Sequence, residues 1–524
     1  MFLLQANTTE LFTVRDLLLI APELIVTLCA CVALVMEVVL PYRKSRWAGY
    51  FALIGLALAA VSLFALWQVN HTRFPLEGFY GTVRIDGFAI VFKTIFLLAA
   101  ALTVAISLKY LDVEGEQRGE YYALVLFATV GMMFLACGYD LIVLYISLEL
   151  MAVTFYVLVS YTKRERRTNE AGMKYFLLGA FSSGILLYGM SLLFGIAGST
   201  NLGEIATSIN LALNASPVEE GAAAVLPLRP LLLLGMIALA AGLFFKIAAV
   251  PFHMWAPDAY EGAPTSVTAF LSTGSKAASF ALFARLFMEA LAGMRADWAP
   301  LLGLVAALTI LVGNWAAVTQ TNAKRLLAYS SISNAGYLLL GIIAGNQYGY
   351  VGLVIYLFVY TLMNIGAFGV IISMRRRGII GDGVDDLTGL AAHSPGLAFM
   401  MAVFMLSLGG LPITGGFIGK YFLFGGLLQR YDVEEKSWLL WLAIWAILNT
   451  VVSFYYYVRF IRVMYLSDSL PGERPPTLSP ALRTALVVSV IGIIFIGVYP
   501  QPFINMAQIL ISTLAAASGA VALR

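Results

Sequence analysis

Charged residues are scarce in this chain of 524 residues. Asp, Glu, Lys and Arg together make up 12% of it, 61% of the residues are hydrophobic, and the mean hydropathy is +0.88. This composition excludes a soluble globular domain and predicts a polytopic membrane protein. The net charge is only +3, and the basic residues stand in short loops between apolar runs, so the sequence gives no support for nucleic-acid binding.

Cysteine and histidine are also rare, with three residues of each. Neither set has the spacing of a metal site or of a disulfide framework, and we interpret Cys29, Cys31 and Cys137 as packing residues. The sequence contains no glycine-rich dinucleotide fingerprint and no haem motif, so we expect no redox centre, bound cofactor or metal in this chain. Residues 1–12 do not have a cleavable signal pattern, and the first apolar run is expected to be a retained span.

About fourteen apolar segments are long enough to cross a bilayer, which predicts an all-α polytopic membrane protein. They run approximately over 17–40, 47–68, 88–108, 121–137, 141–161, 171–197, 231–250, 267–288, 301–319, 326–344, 351–374, 397–428, 439–465 and 481–498. A polar and alanine-rich connection, 198–229, separates the sixth segment from the seventh.

Five basic segments fall on one side of the membrane if these spans alternate in direction. They are 42–46, 163–167, 324–325, 375–377 and the pair Arg459 and Arg462. Because basic loops are retained in the cytoplasm, we predict that this side is cytoplasmic and that both termini are periplasmic.

Two of the spans are predicted to be broken helices. In the seventh, Lys246 precedes Pro251, and in the twelfth, Pro412 and a glycine cluster precede Lys420. Five spans separate the two breaks, so corresponding elements would run in opposite directions, as in inverted repeats with the working site near the breaks. Coincidence is the alternative, because glycine and proline are common in membrane helices.

The predicted division of the chain follows from these repeats. Helices 1–3 occupy 1–120, the first five-helix repeat (helices 4–8) occupies 121–290, and the second inverted repeat (helices 9–13) occupies 297–466. A last helix and a tail occupy 480–524.

Ionisable residues inside apolar spans are the candidates for a proton path, because burying them is costly. Glu149 lies in the fifth span, Lys246 in the seventh, Lys276 in the eighth and Lys420 in the twelfth. The alternative for each is a structural role in a fixed pair with a neighbouring helix.

Three further ionisable residues have less decisive positions. Lys174 could be a relay residue or could extend to the membrane interface. His253, beside the proline-rich break, could pass protons or be a satisfied structural residue. Arg285, near the end of its span, is interpreted as an interface anchor.

Hydroxyls in the tenth span could hold water between Lys276 and Lys420, although helix packing is the favoured explanation for them. They belong to Tyr329, Ser330, Ser331, Ser333 and Tyr337, with the amide of Asn334 among them.

Three long motifs, in order, resemble a known family. They are LYISLELMAVTFYVLVSYTKRERRTNEAGMKYFLLGAFSSGILLYGMSLLFG, KIAAVPFHMWAPDAYEGAPTSVTAFLSTGSKAA and LSLGGLPITGGFIGKYFLF. Together they resemble the antiporter-like N subunits of proton-pumping respiratory complex I, over roughly 121–465. The resemblance implies about fourteen helices with two inverted five-helix repeats, broken helices seven and twelve, and a central hydrophilic axis.

The resemblance also implies roles. Glu149 would be the glutamate of helix five, Lys174 the lysine of helix six, and Lys246, Lys276 and Lys420 the lysines of helices seven, eight and twelve. Glu149 and Lys246 would form a switchable ion pair, Lys276 would be the central relay, and Lys420 would pass the proton on.

The same resemblance implies the setting of the chain. It would be a multi-pass protein of the bacterial inner membrane, beside K-like and M-like subunits, within a translocase whose NADH, FMN, iron–sulfur clusters and quinone are bound by other subunits.

The M subunits differ in having a glutamate at the position of Lys420, and the L subunits continue into a long lateral helix that this chain is too short to contain. Two relatives remain open: the chloroplast and cyanobacterial counterpart, and an Mrp-type cation/proton antiporter subunit. A purely structural membrane subunit is the third alternative.

Overall fold

A computed structural model describes residues 13–39, 41, 45–70, 74–214, 228–375, 381–467 and 478–508. The fold is mainly helical, as predicted. The helices are α1 (Val14–Leu19), α2 (Ala21–Val39), α3 (Arg46–Asn70), α4 (Gly87–Glu114), α5 (Gly119–Cys137), α6 (Leu141–Val159), α7 (Arg166–Ala197), α8 (Leu202–Asn214), α9 (Leu228–Ile247), α10 (Trp255–Gly262), α11 (Thr265–Phe270), α12 (Lys276–Ala284), α13 (Arg295–Val318), α14 (Ala323–Ala344), α15 (Gln347–Met374), α16 (Leu390–His393), α17 (Pro395–Gly409), α18 (Gly415–Glu434), α19 (Ser437–Leu466) and α20 (Pro480–Val498).

Twelve helices in the described ranges are long and apolar enough to cross a membrane. Two more of the predicted spans are interrupted. The eighth is a helical run in which π turns at Leu271–Ser275 and Arg285–Ala290 flank α12, and the twelfth is divided into α17 and α18. The predicted total of about fourteen includes these two interrupted segments.

Both predicted breaks are present, close to the prolines that indicated them. α9 ends at Ile247 and α10 begins at Trp255, while α17 ends at Gly409 and α18 begins at Gly415. Each break contains a non-glycine residue with a left-handed backbone, Ala248 with φ 58° and Ile413 with φ 76°. Such residues are strained and persist where the surrounding structure holds them. The inverted symmetry of the two repeats stays a prediction.

The centre of the molecule is formed by α14 and α15. The most apolar 18-residue stretch of each of these helices is 94% buried. α15 packs against α4, α11, α14, α17, α18 and α20. The corresponding stretches of α2, α3, α19 and α20 are between 28% and 39% buried, so these helices form the outer surface. The polar residues of α14 therefore lie far from lipid.

Two elements were not predicted. A short antiparallel hairpin pairs β1 (Leu76–Gly78) with β2 (Val83–Ile85). The connection between the sixth and seventh spans contains the helix α8, and the rest of that connection, 215–227, lies outside the described residues.

The described residues of the five basic segments gather on one face, as the alternation of spans predicts, while 42–44 and 376–377 lie outside the described residues. Arg46 pairs with Asp112 at the end of α4, and Arg375 pairs with Glu114 in the last turn of the same helix. The contacts that join the other segments to this face are Arg167 and Arg325 with Glu261, Arg167 with Asp382, and the Arg459 guanidinium with the Gln320 carbonyl. We call this surface the basic face. Its cytoplasmic location remains a prediction, and the residues 1–12 and 509–524 at the two termini lie outside the described residues.

Candidate functional site

Lys246 lies in the last turn of α9, directly before the first break, and is 7% exposed. Its ammonium donates a hydrogen bond to the Ser183 hydroxyl of α7 at 3.2 Å and lies 5.9 Å from the centre of the Phe245 ring. The first break therefore places an amine against a hydroxyl in the bundle interior.

Glu149 is half-buried in α6, and its Oε1 is buried with no hydrogen-bond partner among the described residues. α7 packs against both α6 and α9, so it stands between the two charges. No ion pair joins Glu149 to Lys246 in this structure. The switchable pair stays a prediction.

Lys276 is the first residue of α12 and is 2% exposed. Its ammonium donates hydrogen bonds to the carbonyl oxygen and to the hydroxyl of Ser331 on α14. The Tyr260 hydroxyl lies 3.3 Å from the same Ser331 hydroxyl, and the Tyr360 ring centre lies 5.8 Å from the Lys276 nitrogen. The Ser331 hydroxyl thus joins α10 and α12 to α14 at the centre of the molecule.

Other polar side chains of α14 form a separate hydrogen-bonded network, and within the described residues no hydrogen bond joins it to Ser331 or Lys276. Ser330 bonds to the Tyr457 hydroxyl, and the Asn334 amide donates to the Ser330 carbonyl at 2.9 Å. The Tyr356 hydroxyl donates to the Asn334 side-chain oxygen at 2.5 Å. These groups bind one another across α14, α15 and α19, which agrees with the favoured explanation that they pack the helices.

Lys420 lies on α18 after the second break and is 3% exposed. Its ammonium donates to the carbonyls of Leu408 and Gly409 at 2.9 and 3.5 Å. These carbonyls end α17, where the helix dipole is negative, so the broken helix itself solvates the cation. The amine also lies 5.0 Å from the centre of the Tyr337 ring and lines an open cavity of about 670 Å³.

Lys174 and His253 stand apart from this buried row. The Lys174 side chain is 47% exposed and pairs with Glu170 and Asp258, each at 2.9 Å, beside the basic face. His253 lies in the first break, half-buried, with its Nδ1 buried and without a hydrogen-bond partner in the described part of the chain. Neither residue contacts Lys246 or Lys276 through a hydrogen bond or an ion pair.

The interpretation of Arg285 as an interface anchor was wrong. Its side chain is fully buried and pairs with Asp86 at 2.8 Å and with Glu289 at 2.6 Å. Its position near the end of the span suggested the interface, but the N-terminus of α4 supplies a carboxylate there instead.

A second buried ion pair was overlooked. Lys93 of α4 and Glu23 of α2 are both 0% exposed, with 2.5 Å between the amine and Oε1, and the Cys137 thiol lies 3.8 Å from the same oxygen. Both residues fall inside predicted spans, so the signal that identified Lys276 was present for them as well. Of the cysteines, Cys29 and Cys137 are buried and Cys31 is exposed.

Lys324 was counted only as part of a basic loop, yet it is 3% exposed and its ammonium donates to the Ala263 carbonyl. It lines a cavity of about 250 Å³ at the basic face, together with Glu114, Arg375 and Asp382. No group of three His, Cys, Asp or Glu side chains in the described residues is placed to hold a metal ion.

Known proteins identify the family of this chain. Residues 138–449 match the family described as NADH:quinone oxidoreductase/Mrp antiporter, TM. A NADH-quinone oxidoreductase subunit N of Solibacter usitatus is 47% identical over 97% of this chain and 98% of its own length. The chain belongs to the subunit N family.

Other members of the subunit N family agree with this assignment. The relative from Koribacter versatilis is 46% identical over 95% of this chain and 96% of its own length. Among solved structures, a chain of respiratory complex I from Thermus thermophilus has a TM-score of 0.73 at 33% identity and covers 92% of this chain and 98% of its own.

The Mrp alternative is supported only at the level of the fold. A chain of the Mrp complex from Dietzia has a TM-score of 0.79 and covers 96% of this chain and 98% of its own, but is 18% identical. The subunit N relatives share more than twice that identity over nearly the whole chain, so subunit N is the better-supported family.

Proposed function

We propose that this subunit carries protons across the membrane along the buried row of Lys246, Lys276 and Lys420, and that the driving energy comes from electron transfer from NADH to quinone in partner subunits. The observation that carries the proposal is that these lysines are buried and have no carboxylate partner. All three are at most 7% exposed, and none of them forms an ion pair within the described residues.

Two of the other buried cations in the described residues give the contrast. Lys93 is held by Glu23, and Arg285 is held by Asp86 and Glu289. Removing the proton from a cation in such a pair would leave its carboxylate uncompensated in an apolar interior, which is costly. Lys246, Lys276 and Lys420 bind only hydroxyls and carbonyls, which can stay in place whether the amine is charged or neutral.

The proposed order of transfer runs from Lys246 through Lys276 to Lys420. Lys246 receives the proton on the side of Glu149. The charge of Glu149 modulates the affinity of Lys246 for the proton. Lys276 is the central relay, held by Ser331 on α14 at the centre of the molecule. Lys420 passes the proton onward from the open cavity at the second break.

Lys324 has the same bonding as these lysines but lies at the basic face, beside paired charges such as those of Arg375 and Asp382. We assign it to the periphery of the path. Lys174 and His253 are assigned supporting roles at the basic face and at the first break.

The wider setting belongs to the same proposal. The chain would lie in the bacterial inner membrane between K-like and M-like subunits, with both termini periplasmic. NADH, FMN, iron–sulfur clusters and quinone would be bound by other subunits. The chain would divide into helices 1–3 (1–120), two inverted repeats (121–290 and 297–466) and a C-terminal helix and tail (480–524).

The test is proton pumping by the assembled complex in liposomes, driven by NADH and a soluble quinone. We expect Lys276→Ala to lower the number of protons moved per NADH oxidised, with normal assembly. Lys436→Ala is the matched control, because Lys436 is 48% exposed and pairs with Glu434 at the protein surface. Unchanged pumping by an assembled Lys276→Ala complex would contradict the proposal and favour a purely structural role for the lysines.

The second candidate is an Mrp-type antiporter subunit, favoured only by the shared fold. Gentle solubilisation of membranes that contain the tagged chain separates the two functions. Co-purification of NADH:quinone reductase activity supports the first, and sodium-dependent transport without reductase activity supports the second.

A further inference from the structure

The buried ion pair of Arg285 lies at the opposite end of α12 from Lys276. α12 spans Lys276–Ala284 and Arg285 follows it directly, so the two charged residues bracket a helical segment about 14 Å long at 1.5 Å per residue. π turns adjoin both ends of the segment. Such turns are rare and occur frequently at functional sites.

Every N–H group of the Arg285 guanidinium has an acceptor. Its two terminal nitrogens donate to the two Asp86 oxygens at 2.8 Å each, and one of them also donates to Glu289 at 2.6 Å. The Ala136 carbonyl accepts the remaining bonds, at 3.0 and 3.3 Å, and the guanidinium lies 4.3 Å from the Phe88 ring centre. An arginine with five satisfied donors is fixed in both position and orientation.

Two of the three partners of Arg285, Asp86 and Ala136, belong to other helices, while Glu289 lies in the same π turn as Arg285. Asp86 is the residue that caps the N-terminus of α4, where its side chain also accepts from the Ala89 amide at 2.8 Å. Ala136 lies in the last turn of α5. The far end of the Lys276 segment is therefore attached to two helices that do not carry the lysine row.

The rest of the segment offers little directional restraint. All nine residues of α12 are buried, but apart from Lys276 they are alanine, phenylalanine, leucine and one serine, and the Ser279 hydroxyl donates to the Ser275 carbonyl within its own helix. Apolar packing is not directional. In the described residues between 276 and 290, side-chain hydrogen bonds to other helices come from Lys276 and Arg285.

We infer that the Arg285–Asp86 pair is a positioning device, which fixes the depth and rotation of α12 and thereby holds the Lys276 ammonium against Ser331. The inference rests on the proposed role of Lys276 in proton transfer. Arg285 does not itself carry protons. It acts through the placement of Lys276, and transfer between fixed groups is sensitive to displacements of about 1 Å.

The test compares Arg285→Lys, which keeps the charge but loses the two-pronged fork, with Asp86→Asn, which keeps a side chain able to cap α4. Each variant is purified as the assembled complex, reconstituted in liposomes, and assayed for protons moved per NADH oxidised. We expect both variants to move fewer protons per NADH oxidised than the unmodified complex, as Lys276→Ala does. If Arg285→Lys does not assemble, Asp86→Asn decides in its place.

Glu23→Gln is the matched control. It breaks an ion pair that is buried to the same degree, but the polar partners of Glu23 and Lys93 in the described residues are each other and Cys137. We expect it to lower the yield of complex and to leave the protons moved per NADH unchanged.

Three results are informative beyond the expected one. Normal pumping per assembled complex in both Arg285→Lys and Asp86→Asn would overturn the positioning role, and so would an equal loss in Glu23→Gln. Lys276→Ala is assayed in the same series. If it also pumps normally, the proposed function fails as well, whereas a defect in Lys276→Ala alone would remove only the role of Arg285.

Discussion

At the scale of single residues, the buried cations fall into two groups that hydropathy does not separate. Lys93 and Arg285 lie beside carboxylates, while Lys246, Lys276 and Lys420 lie beside hydroxyls and helix-end carbonyls. A cation with a fixed carboxylate partner is part of the architecture, and one without such a partner can change its protonation with less rearrangement. The two groups should therefore respond differently to substitution.

Glu23→Gln is expected to destabilise the protein by about 3–5 kcal/mol, because it leaves the Lys93 charge buried without a counter-ion. The double variant Glu23→Gln/Lys93→Met removes both charges and should recover most of the stability. Thermal unfolding of the purified complex measures both effects. A double variant that is less stable than the single one would contradict this explanation.

Ser331→Ala is expected to slow proton pumping about tenfold or more, since a hydrogen bond to a charged group contributes about 1.5–3 kcal/mol and about 1.4 kcal/mol is a factor of ten in rate. Ser333→Ala is the control on the same helix, because the Ser333 hydroxyl donates to the Ser330 carbonyl and does not contact Lys276. Pumping rates per assembled complex are compared. Equal rates in the two variants would show that the Ser331 hydroxyl has no part in transfer.

At the scale of elements, the sequence predicted the breaks but not the π turns. Pro251 and Pro412 remove backbone donors in the middle of apolar runs. This effect is local, so it can be recognised from the sequence alone. The π turns beside α12 contain residues that fit an α-helix equally well, so only packing determines them. The hairpin of β1 and β2 was missed because its strands have only three residues each, and α8 because its 13 residues are too few to cross a bilayer.

Gly416 makes the second break compact. A methyl group at this position would lie 1.9 Å from the Ser407 carbonyl oxygen, so Gly416→Ala must push α18 away from the end of α17. We expect a loss of stability of about 1–3 kcal/mol, together with reduced pumping, because Lys420 binds the adjacent carbonyls.

Gly396→Ala is the control in α17, where an added methyl group meets nothing within 4 Å. It should leave both the thermal unfolding temperature and the pumping rate close to those of the unmodified complex. A similar loss in the two variants would show that the close contact at Gly416 is not the cause.

At the scale of the whole molecule, the alternation of basic loops was the most reliable sequence signal. Five basic segments were predicted on one side, and contacts such as the ion pairs of Arg375 with Glu114 and of Arg167 with Glu261 place their described residues on one face. The signal is reliable because it depends only on whether an odd or an even number of spans separates two loops. Errors in the predicted ends of the spans do not change that number. The location of Arg285 could not be predicted in this way, since its partner Asp86 is distant in sequence and adjacent only in the fold.

Labelling of single cysteines tests the orientation. Lys163 is exposed at the basic face before α7, and Glu204 is exposed on α8 after it. We expect a membrane-impermeant maleimide to label Lys163→Cys only in inside-out vesicles and Glu204→Cys only in right-side-out vesicles. The opposite pattern would place the termini in the cytoplasm.

The measurement that tests the central claim most directly compares Lys276→Met with Lys93→Met in the reconstituted complex. Both substitutions replace a buried lysine with a side chain of similar length, but only Lys93 has a carboxylate partner. We predict that Lys276→Met assembles and loses most of its proton pumping per NADH oxidised, and that Lys93→Met assembles poorly but pumps normally per assembled complex. Normal pumping by Lys276→Met would contradict the claim that the unpaired lysines carry the protons.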